Sequence, residues 1–330
     1  MHFAFTADQI ELRDGLRDLL VEVCPPAVVR AAWSPSPEPV RLLWKQLGAV
    51  GLLGLLAPET AGGMGASEIE LVLLLEECGR FAVPGPVGEH IAAAVPALAI
   101  AGAPEAARAI TGEAITTVRE AASDRVRWIS TADLLVHPDR GGLRLTARTD
   151  LDVERQLSSV DRSVPSARVI PRRTRDLPGA DAGLFRRRAT LAAAAQLIGL
   201  ADRMIAMASD YVKVRTQFGV PVGSQQSVKH LLATALVSLE HARPVVYRAG
   251  WVLAAGGADP GPAISFAKLY ATRAADLAAR TALQCHGAIG YTWEHDLHMW
   301  IKRVWTLGTA WGTPAAHEDI VASAVLDARY

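Results

Sequence analysis

Residues 215–226 read RTQFGVPVGSQQ, and residues 284–296 read QCHGAIGYTWEHD. Each segment follows a long stretch with helical periodicity, so both are predicted to lie at helix ends. Arg215, beside a Phe-Gly turn, can offer a guanidinium fork to a phosphate. Gly287 and Gly290 allow a backbone to approach a ligand closely. Taken alone, either segment is more often a solvated helix cap than a binding site.

The regions around these two segments are predicted to be helical. Long helices are expected over 183–214, 225–255 and 262–285, with Pro244 bending the second. The first third of the chain is also helical, beginning at a capping box formed by Thr6 and Gln9. Its further markers are a helix stop at Pro25–Pro26, an amphipathic segment over Val40–Leu53, a second capping box at Ser67 and Glu70, and Ala-rich helices over 88–110.

The middle of the chain has a different pattern. Between Glu113 and Pro178, short alternating stretches are separated by Asp, Gly and Pro, which predicts a small β-rich region. The predicted fold class is therefore mainly α with a small β domain. The predicted domains are an N-terminal helical domain over 1–112, a β-domain over 113–180 and a C-terminal helical bundle over 181–330.

The composition gives no electrostatic reason to expect nucleic acid or an anionic membrane as a partner. The 330 residues carry 34 Lys and Arg against 34 Asp and Glu, and half of them are hydrophobic. Cys24, Cys78 and Cys285 are scattered, which suits a reducing compartment. No signal peptide and no run long enough to span a bilayer is evident. We expect a soluble, cytoplasmic protein.

Three longer stretches together resemble the acyl-CoA dehydrogenases. They are LLWKQLGAVGLLGLLAPETAGGMGASEIELVLLLEECGR at 42–80, RTQFGVPVGSQQSVKHLLA at 215–233 and QCHGAIGYTWEHDLHMWIKR at 284–303. The resemblance implies a helical N-terminal domain, a central β-domain and a C-terminal four-helix bundle. It also implies assembly as dimers or dimers of dimers, with FAD lying across a subunit interface.

The resemblance implies that this chain binds the diphosphate and adenosine half of a neighbouring subunit's FAD. Ala288 replaces the second glycine of the family's Gly-Gly pair, which narrows the backbone freedom there. The cofactor-binding residues implied in this way are Arg215, Phe218, Gln226, Gln284, Cys285, His286, Gly287, Ala288 and Thr313.

Neither position that carries the family's catalytic carboxylate holds one in this sequence. Family members remove the α-proton of an acyl thioester with a Glu, which must reach the proton in a dry pocket. In register with Gln284, the commoner Glu position falls on Trp311. The second position, about seven helical turns before Arg215, falls near Ala189. No catalytic residue is therefore predicted; Glu294 is the one substitute considered.

The central region departs from the family as well. It has no counterpart of the YAxTEPxAGSD segment, which holds the flavin ring, so the β-domain is predicted to be truncated. The chain thus retains the residues that bind a neighbouring subunit's FAD and lacks the segment that would hold its own flavin ring. In this respect it resembles the shortened partner subunit of actinobacterial α2β2 steroid-type acyl-CoA dehydrogenases. That resemblance implies a second, catalytic subunit as partner and α,β-desaturation of a bulky, steroid-derived acyl-CoA.

Two other hypotheses remain open from the sequence. One is a homo-oligomer with an unorthodox base such as Glu294, and the other is a scaffold or regulatory homologue that has lost flavin. The arginines at 172–175 are either a CoA 3′-phosphate site or a solvated loop. The arginines at 186–188 are hypothesised to neutralise a carboxylate of the substrate or the partner. His286, His295 and His298 are not expected to form a metal site.

Overall fold

The computed structural model describes residues 4–34, 36–121, 123–256 and 259–326. The chain divides into two compact units, one comprising Met1–Leu71 and Val83–Ala192 and the other Val72–Ala82 and Ala193–Tyr330. The helices of the N-terminal region are α1 Ala7–Val23, α2 Pro26–Ala31, α3 Glu38–Ala49, α4 Glu68–Arg80, α5 Val87–Glu89, α6 Val95–Ile100 and α7 Glu105–Ile110, with one π-helical turn at His90–Ala94.

The helix boundaries follow from local chemistry. The predicted capping box is present at α1, where the Thr6 side chain accepts from the Gln9 N–H and the Gln9 side chain accepts from the Thr6 N–H. Helix α1 ends at Val23, just before the two prolines. Helix α3 buries the stripe Val40, Leu43, Trp44 and Leu47, the i, i+3, i+4, i+7 spacing of a helix with one apolar face.

One fully buried histidine joins three parts of the first unit. His90 Nε2 lies 3.0 Å from the Ala109 carbonyl oxygen at the end of α7, and its Nδ1 accepts the Thr116 N–H at 3.1 Å. The ring also meets Trp44 edge-on, with centroids 5.2 Å apart. Since a carbonyl only accepts, the ring is neutral with its proton on Nε2. Burial lowers the pKa of His90 to about 4, against the opposing effect of its backbone partners.

The β region forms two small sheets from seven strands: β1 Thr116–Val118, β2 Arg125–Arg127, β3 Leu134–Asp139, β4 Gly142–Ala147, β5 Leu151–Leu157, β6 Ser166–Pro171 and β7 Arg175–Asp176. The strand orders are β1-β3-β4-β7 and β2-β6-β5. Only β1 and β3 run parallel; the other pairs are antiparallel. A cluster of Val126, Ile129, Leu135, Leu151, Ala167 and Val169 forms their core.

The C-terminal region is helical again. It contains α8 Ala182–Val214, the hairpin strands β8 Thr216–Gln217 and β9 Val220–Pro221, then α9 Gln226–Ala255, α10 Gly261–His286, α11 Leu297–Thr309 and α12 Pro314–Leu326. Helix α10 packs against α9, α11 and α12. The three long helices lie within two residues of their predicted bounds, and α9 continues through Pro244. The predicted class, mainly α with a small β domain, is confirmed.

Helix α8 is long and apolar enough to cross a membrane by length and composition. It is the one described helix that passes this test, and 78% of its most apolar 18-residue window is buried inside the protein. Helix α8 is closely packed within the second unit. For example, a Cβ added at Gly199 would lie 1.8 Å from the carbonyl oxygen of Glu76. The apolar surface of α8 is therefore used in packing against its own chain.

Candidate functional site

The first predicted segment is a tight hairpin at the end of α8. Arg215 is the first residue after that helix, and its N–H donates to the Tyr211 carbonyl at 2.9 Å. Phe218 and Gly219 form the two-residue turn between β8 and β9, with φ values of 53° and 82°. Positive φ at both positions is what a type I′ turn requires. The Phe218 side chain is 97% exposed, so the hairpin presents an aromatic ring to solvent.

The side chains of Arg215 and Gln226 are not engaged by other described residues. Arg215 is exposed, and no side chain of residues 4–34, 36–121, 123–256 or 259–326 pairs with its guanidinium. Gln226 is exposed at the first position of α9, and no side chain caps that helix. The first N–H groups of a long helix carry partial positive charge, so Arg215 and this helix end form a donor set suited to phosphate.

The second predicted segment lies at the end of α10. Gly287 follows the helix with a φ of 62° and its N–H donates to the Leu283 carbonyl. Gln284, Gly287 and Ala288 are exposed, and no atom lies within 4 Å of the place where a Cβ of Gly287 would stand. This turn therefore offers open backbone to a ligand. Cys285 is half-buried, and burial raises the pKa of its thiol, which keeps it protonated at neutral pH.

Three aromatic rings connect the end of α8 with the second segment. The Tyr211 and His286 rings are stacked, with centroids 4.5 Å apart at 21°, and His295 meets His286 edge-on at 4.6 Å. Sequence reasoning named His286 as a cofactor contact and did not single out Tyr211. The available signal was its spacing, since Tyr211 lies one helical turn before Arg215. The structure thus places His286 in a buried stack, whereas its neighbours Gly287 and Ala288 are exposed.

The turn at Trp311 holds no carboxylate and is closely packed. Trp311 is 4% exposed and has a φ of 61°. The His317 ring nitrogen Nε2 lies 3.1 Å from the Trp311 carbonyl oxygen, and a Cβ at Gly312 would lie 2.7 Å from the same nitrogen. The predicted cofactor residue Thr313 caps α12, since its hydroxyl accepts the Ala316 N–H at 3.3 Å. Its exposed position leaves the hydroxyl proton available.

The arginines near the second expected base position have a partner inside the chain. Ala189 is buried in α8, and Arg188 Nε donates to Glu68 Oε1 at 2.7 Å. Both members of this ion pair are largely buried, with side-chain exposures of 17% and 7%. Arg188 therefore neutralises a carboxylate of its own chain, whereas the hypothesis that the arginines at 186–188 neutralise a carboxylate of the substrate or the partner stays a prediction.

The remaining candidates lie at the surface. Arg172 pairs with Asp152, and Arg175 pairs with Glu105, so two members of the 172–175 run are engaged in exposed ion pairs. Glu294 is exposed to solvent. Among the described parts of the chain, no group of three or more His, Cys, Asp or Glu residues could hold a metal ion.

The family models match both helical regions. Residues 6–116 match the acyl-CoA dehydrogenase N-terminal domain, and residues 182–326 match the acyl-CoA dehydrogenase C-terminal domain. Acyl-CoA dehydrogenase IpdE2 of Mycobacterium tuberculosis is 34% identical over 88% of this chain and 89% of its own length. The chain belongs to the acyl-CoA dehydrogenase family. Residues 117–181, which contain nearly all of the β region, lie outside both model matches.

A second relative is much longer than this chain. FadE34 of Mycobacterium tuberculosis is 33% identical over 84% of the chain, but the match covers only 40% of FadE34. Solved structures share the fold. A chain of the ChsE4-ChsE5 complex from Mycobacterium tuberculosis superimposes with a TM-score of 0.85 at 21% identity, covering 100% of both chains.

Two further solved structures have the same fold at lower similarity in sequence. The Tcur3481-Tcur3483 steroid ACAD gives a TM-score of 0.83 at 23% identity, covering 97% of this chain and 98% of its own. PigA, solved with FAD and proline, gives 0.84 at 20% identity and covers 98% and 99%. At these identities the likeness establishes the fold of the chain.

Proposed function

We propose that this chain is the FAD-sharing subunit of a heteromeric acyl-CoA dehydrogenase, in which a second subunit supplies the catalytic Glu. One observation carries the proposal. The Arg215 guanidinium faces solvent without a partner among the described residues, and the Gly287 turn is exposed beside it in the same unit, while the expected base positions hold Trp311 and Ala189, both buried. The chain is thus equipped to complete a cofactor site and not equipped to remove a proton.

The base requirement explains why Glu294 is a poor substitute. The α-proton of a thioester is a weak acid, and a carboxylate abstracts it efficiently only where burial raises the carboxylate pKa toward neutrality. Glu294 is exposed, so it lacks the dry pocket that this proton abstraction requires. A partner subunit with a buried Glu in the family position would supply what this chain lacks.

The exposed residues fit the diphosphate half of FAD. The Arg215 guanidinium and the N-terminus of α9 beside Gln226 are donor groups of the kind that bind phosphate oxygens. The exposed glycine at 287 lets a ligand approach the backbone closely. Phe218 offers an aromatic face or edge to whatever covers the hairpin. When bound, FAD accepts the hydride that leaves the β-carbon of the acyl chain. This chain's residues would hold the far half of that cofactor from across the subunit interface.

Several relatives support a partner subunit. ChsE4-ChsE5 is a complex, and the Tcur3481-Tcur3483 steroid ACAD carries two chain names as well. In FadE34, more than half of the protein lies outside the segment that matches this chain. That arrangement is what a fusion of two cooperating halves would produce.

The substrate and the location are part of the same proposal. The reaction is α,β-desaturation of an acyl-CoA, and the steroid ACAD among the structural relatives favours a bulky, steroid-derived acyl group. A site assembled from two unlike subunits gives room that a symmetric pair of ordinary pockets does not. Location in the cytoplasm agrees with three free cysteines, none of them in a disulfide.

Flavin stoichiometry tests the proposal. The chain is produced alone and together with a second acyl-CoA dehydrogenase chain, and the FAD absorbance per chain is measured after purification. We expect no bound flavin for the chain alone and one FAD per pair of unlike chains in the complex. About one FAD per chain in the chain produced alone would refute the shared site and favour the homo-oligomer.

A matched pair of variants tests the residue that carries the proposal. Arg215→Ala removes charge-assisted hydrogen bonds to phosphate, each worth roughly 1.5–3 kcal/mol, so FAD should bind about 10- to 150-fold more weakly to the complex. Arg280→Ala is the control, because Arg280 is 78% exposed in an i, i+4 pair with Asp276. Equal FAD affinity in both variants would favour a flavin-free scaffold instead.

A further inference from the structure

Tyr211 connects the two halves of the proposed FAD site. Its carbonyl oxygen accepts the Arg215 N–H at 2.9 Å, so it forms the last turn of α8 directly before the phosphate-binding arginine. Its ring stacks on His286, which is the last residue of α10 and immediately precedes Gly287. Tyr211 also meets His295 edge-on, with centroids 6.4 Å apart. Two segments separated by about 70 residues are therefore in contact through these rings, each within a few residues of a ligand-facing group.

The His286 ring is held by its own helix and not by a ligand. Nδ1 lies 2.7 Å from the Ala282 carbonyl oxygen, and since a carbonyl only accepts, Nδ1 carries a proton. The side chain is 4% exposed, and Nε2 has no hydrogen-bond partner among the described residues. Burial, and to a smaller extent the neighbouring His295, lower the pKa of His286, which keeps the ring neutral.

His295 completes the cluster and extends it to a third helix. Its ring meets His286 edge-on at 4.6 Å, and its Nδ1 accepts the Leu297 N–H at 3.2 Å. Leu297 is the first residue of α11. The start of α11 is thereby fixed to the same rings that join α8 and α10.

The position of the Arg215 side chain has little other support. It is exposed, and no side chain among the described residues binds it. Its placement therefore follows from the backbone of the last turn of α8. A misplacement of about 1 Å in a positioned group can cost roughly 100-fold in a reaction rate, so whatever fixes that turn relative to Gly287 also determines whether Arg215 can act on the same ligand.

We propose that Tyr211 and His286 are positioning residues, whose stacked rings fix the Arg215 turn relative to the Gly287 turn and thereby place the Arg215 guanidinium for a diphosphate. The inference rests on the proposed function, because the ligand is the FAD of the assembled complex. Neither ring touches the ligand in this account. Their effect on FAD binding passes through Arg215, and that dependence separates a positioning role from a general contribution to stability.

A double-mutant cycle on the deflavinated complex, titrated with FAD, tests the inference. An aromatic stack contributes roughly 0.5–1.5 kcal/mol, so Tyr211→Leu should weaken FAD binding about 2- to 12-fold. Tyr211→Phe retains the ring and should bind FAD within about twofold of the wild type. In the Arg215→Ala background, Tyr211→Leu should cause no further loss, because the group that it positions is gone.

Each outcome of the cycle has a defined meaning. If Tyr211→Leu weakens FAD binding equally with and without Arg215, the ring acts on stability alone and the inference is overturned. If it has no effect in either background, the inference is also overturned. His286→Leu removes the other ring of the stack. It must weaken FAD binding when Arg215 is present and cause no further loss in Arg215→Ala, which provides a test if Tyr211→Leu does not fold. Unchanged FAD affinity in Arg215→Ala itself would instead refute the proposed function.

Discussion

The stability of the first unit should fall steeply with acidification because of His90. Both ring nitrogens are used in the neutral form, Nε2 toward Ala109 and Nδ1 from Thr116. Protonation of Nδ1 would break the bond from Thr116 and place a charge where the residue has no exposed surface. The perturbation is therefore a change of pH from 7.5 to 5, compared between the wild type and His90→Gln, which does not titrate.

The magnitude follows from the two pKa values. The folded ring has a pKa of about 4 against an ordinary value of 6.5. A depressed pKa means that the stabilisation is complete above pH 6.5 and is lost as the pH falls from 6.5 to 4. At pH 5 the unfolded chain is protonated and the folded chain is not, which lowers the free energy of unfolding by about 2 kcal/mol relative to pH 7.5.

Urea unfolding at several pH values, followed by tryptophan fluorescence, measures this effect. His90→Gln should be less stable at pH 7.5, since one of two buried backbone partners is left poorly bonded at a cost of about 1–3 kcal/mol. Its disadvantage should shrink by about 2 kcal/mol at pH 5. Carboxylates and other histidines titrate alike in both proteins and cancel in the comparison. Parallel pH profiles for the two proteins would refute the reasoning.

Two further predictions concern packing and buried charge. Gly199→Ala should destabilise the second unit by about 1–3 kcal/mol, because its Cβ would overlap the Glu76 carbonyl. Gly15→Ala on α1, where no other part of the described structure lies within 4 Å of the added Cβ, should raise the free energy of unfolding by about 0.5–1 kcal/mol. A lower denaturant midpoint for both glycine variants would contradict this. Arg188→Ala should cost about 3 kcal/mol by leaving Glu68 unpaired. The double variant Arg188→Met, Glu68→Leu should recover most of that loss in thermal unfolding, and an equal loss would contradict the prediction.

Local features of the fold were predictable from the sequence. The bounds of α8, α9 and α10 followed from long runs of helical periodicity, and the capping box at Thr6 required only residues three apart. The strand pairing of the β region was not predictable. The parallel partner of Thr116 is Leu134, and strands of two to seven residues carry too little pattern to specify non-local register.

The same distinction applies to the candidate site. Arg215 and Gly287 were identified because their motif residues are close along the chain. The partner of Arg188 lies 120 residues away at Glu68, and the stacking partner of His286 lies on another helix at Tyr211. Contacts of that kind depend on how the helices pack. A single sequence does not specify which distant residue will contact a given charged or aromatic side chain.

Phe218 is unfavourable in the isolated chain for two reasons, its left-handed backbone and its exposed ring. A non-glycine residue in the left-handed region costs roughly 1–2 kcal/mol relative to glycine, and a ring that is 97% exposed gains nothing from burial within its own chain. Asn or Gly at 218 would relieve that strain. A laboratory evolution experiment that selects the isolated chain for heat resistance should therefore discard Phe218 early. The same experiment on the assembled complex should retain it, so this position would reveal which of the two species was under selection.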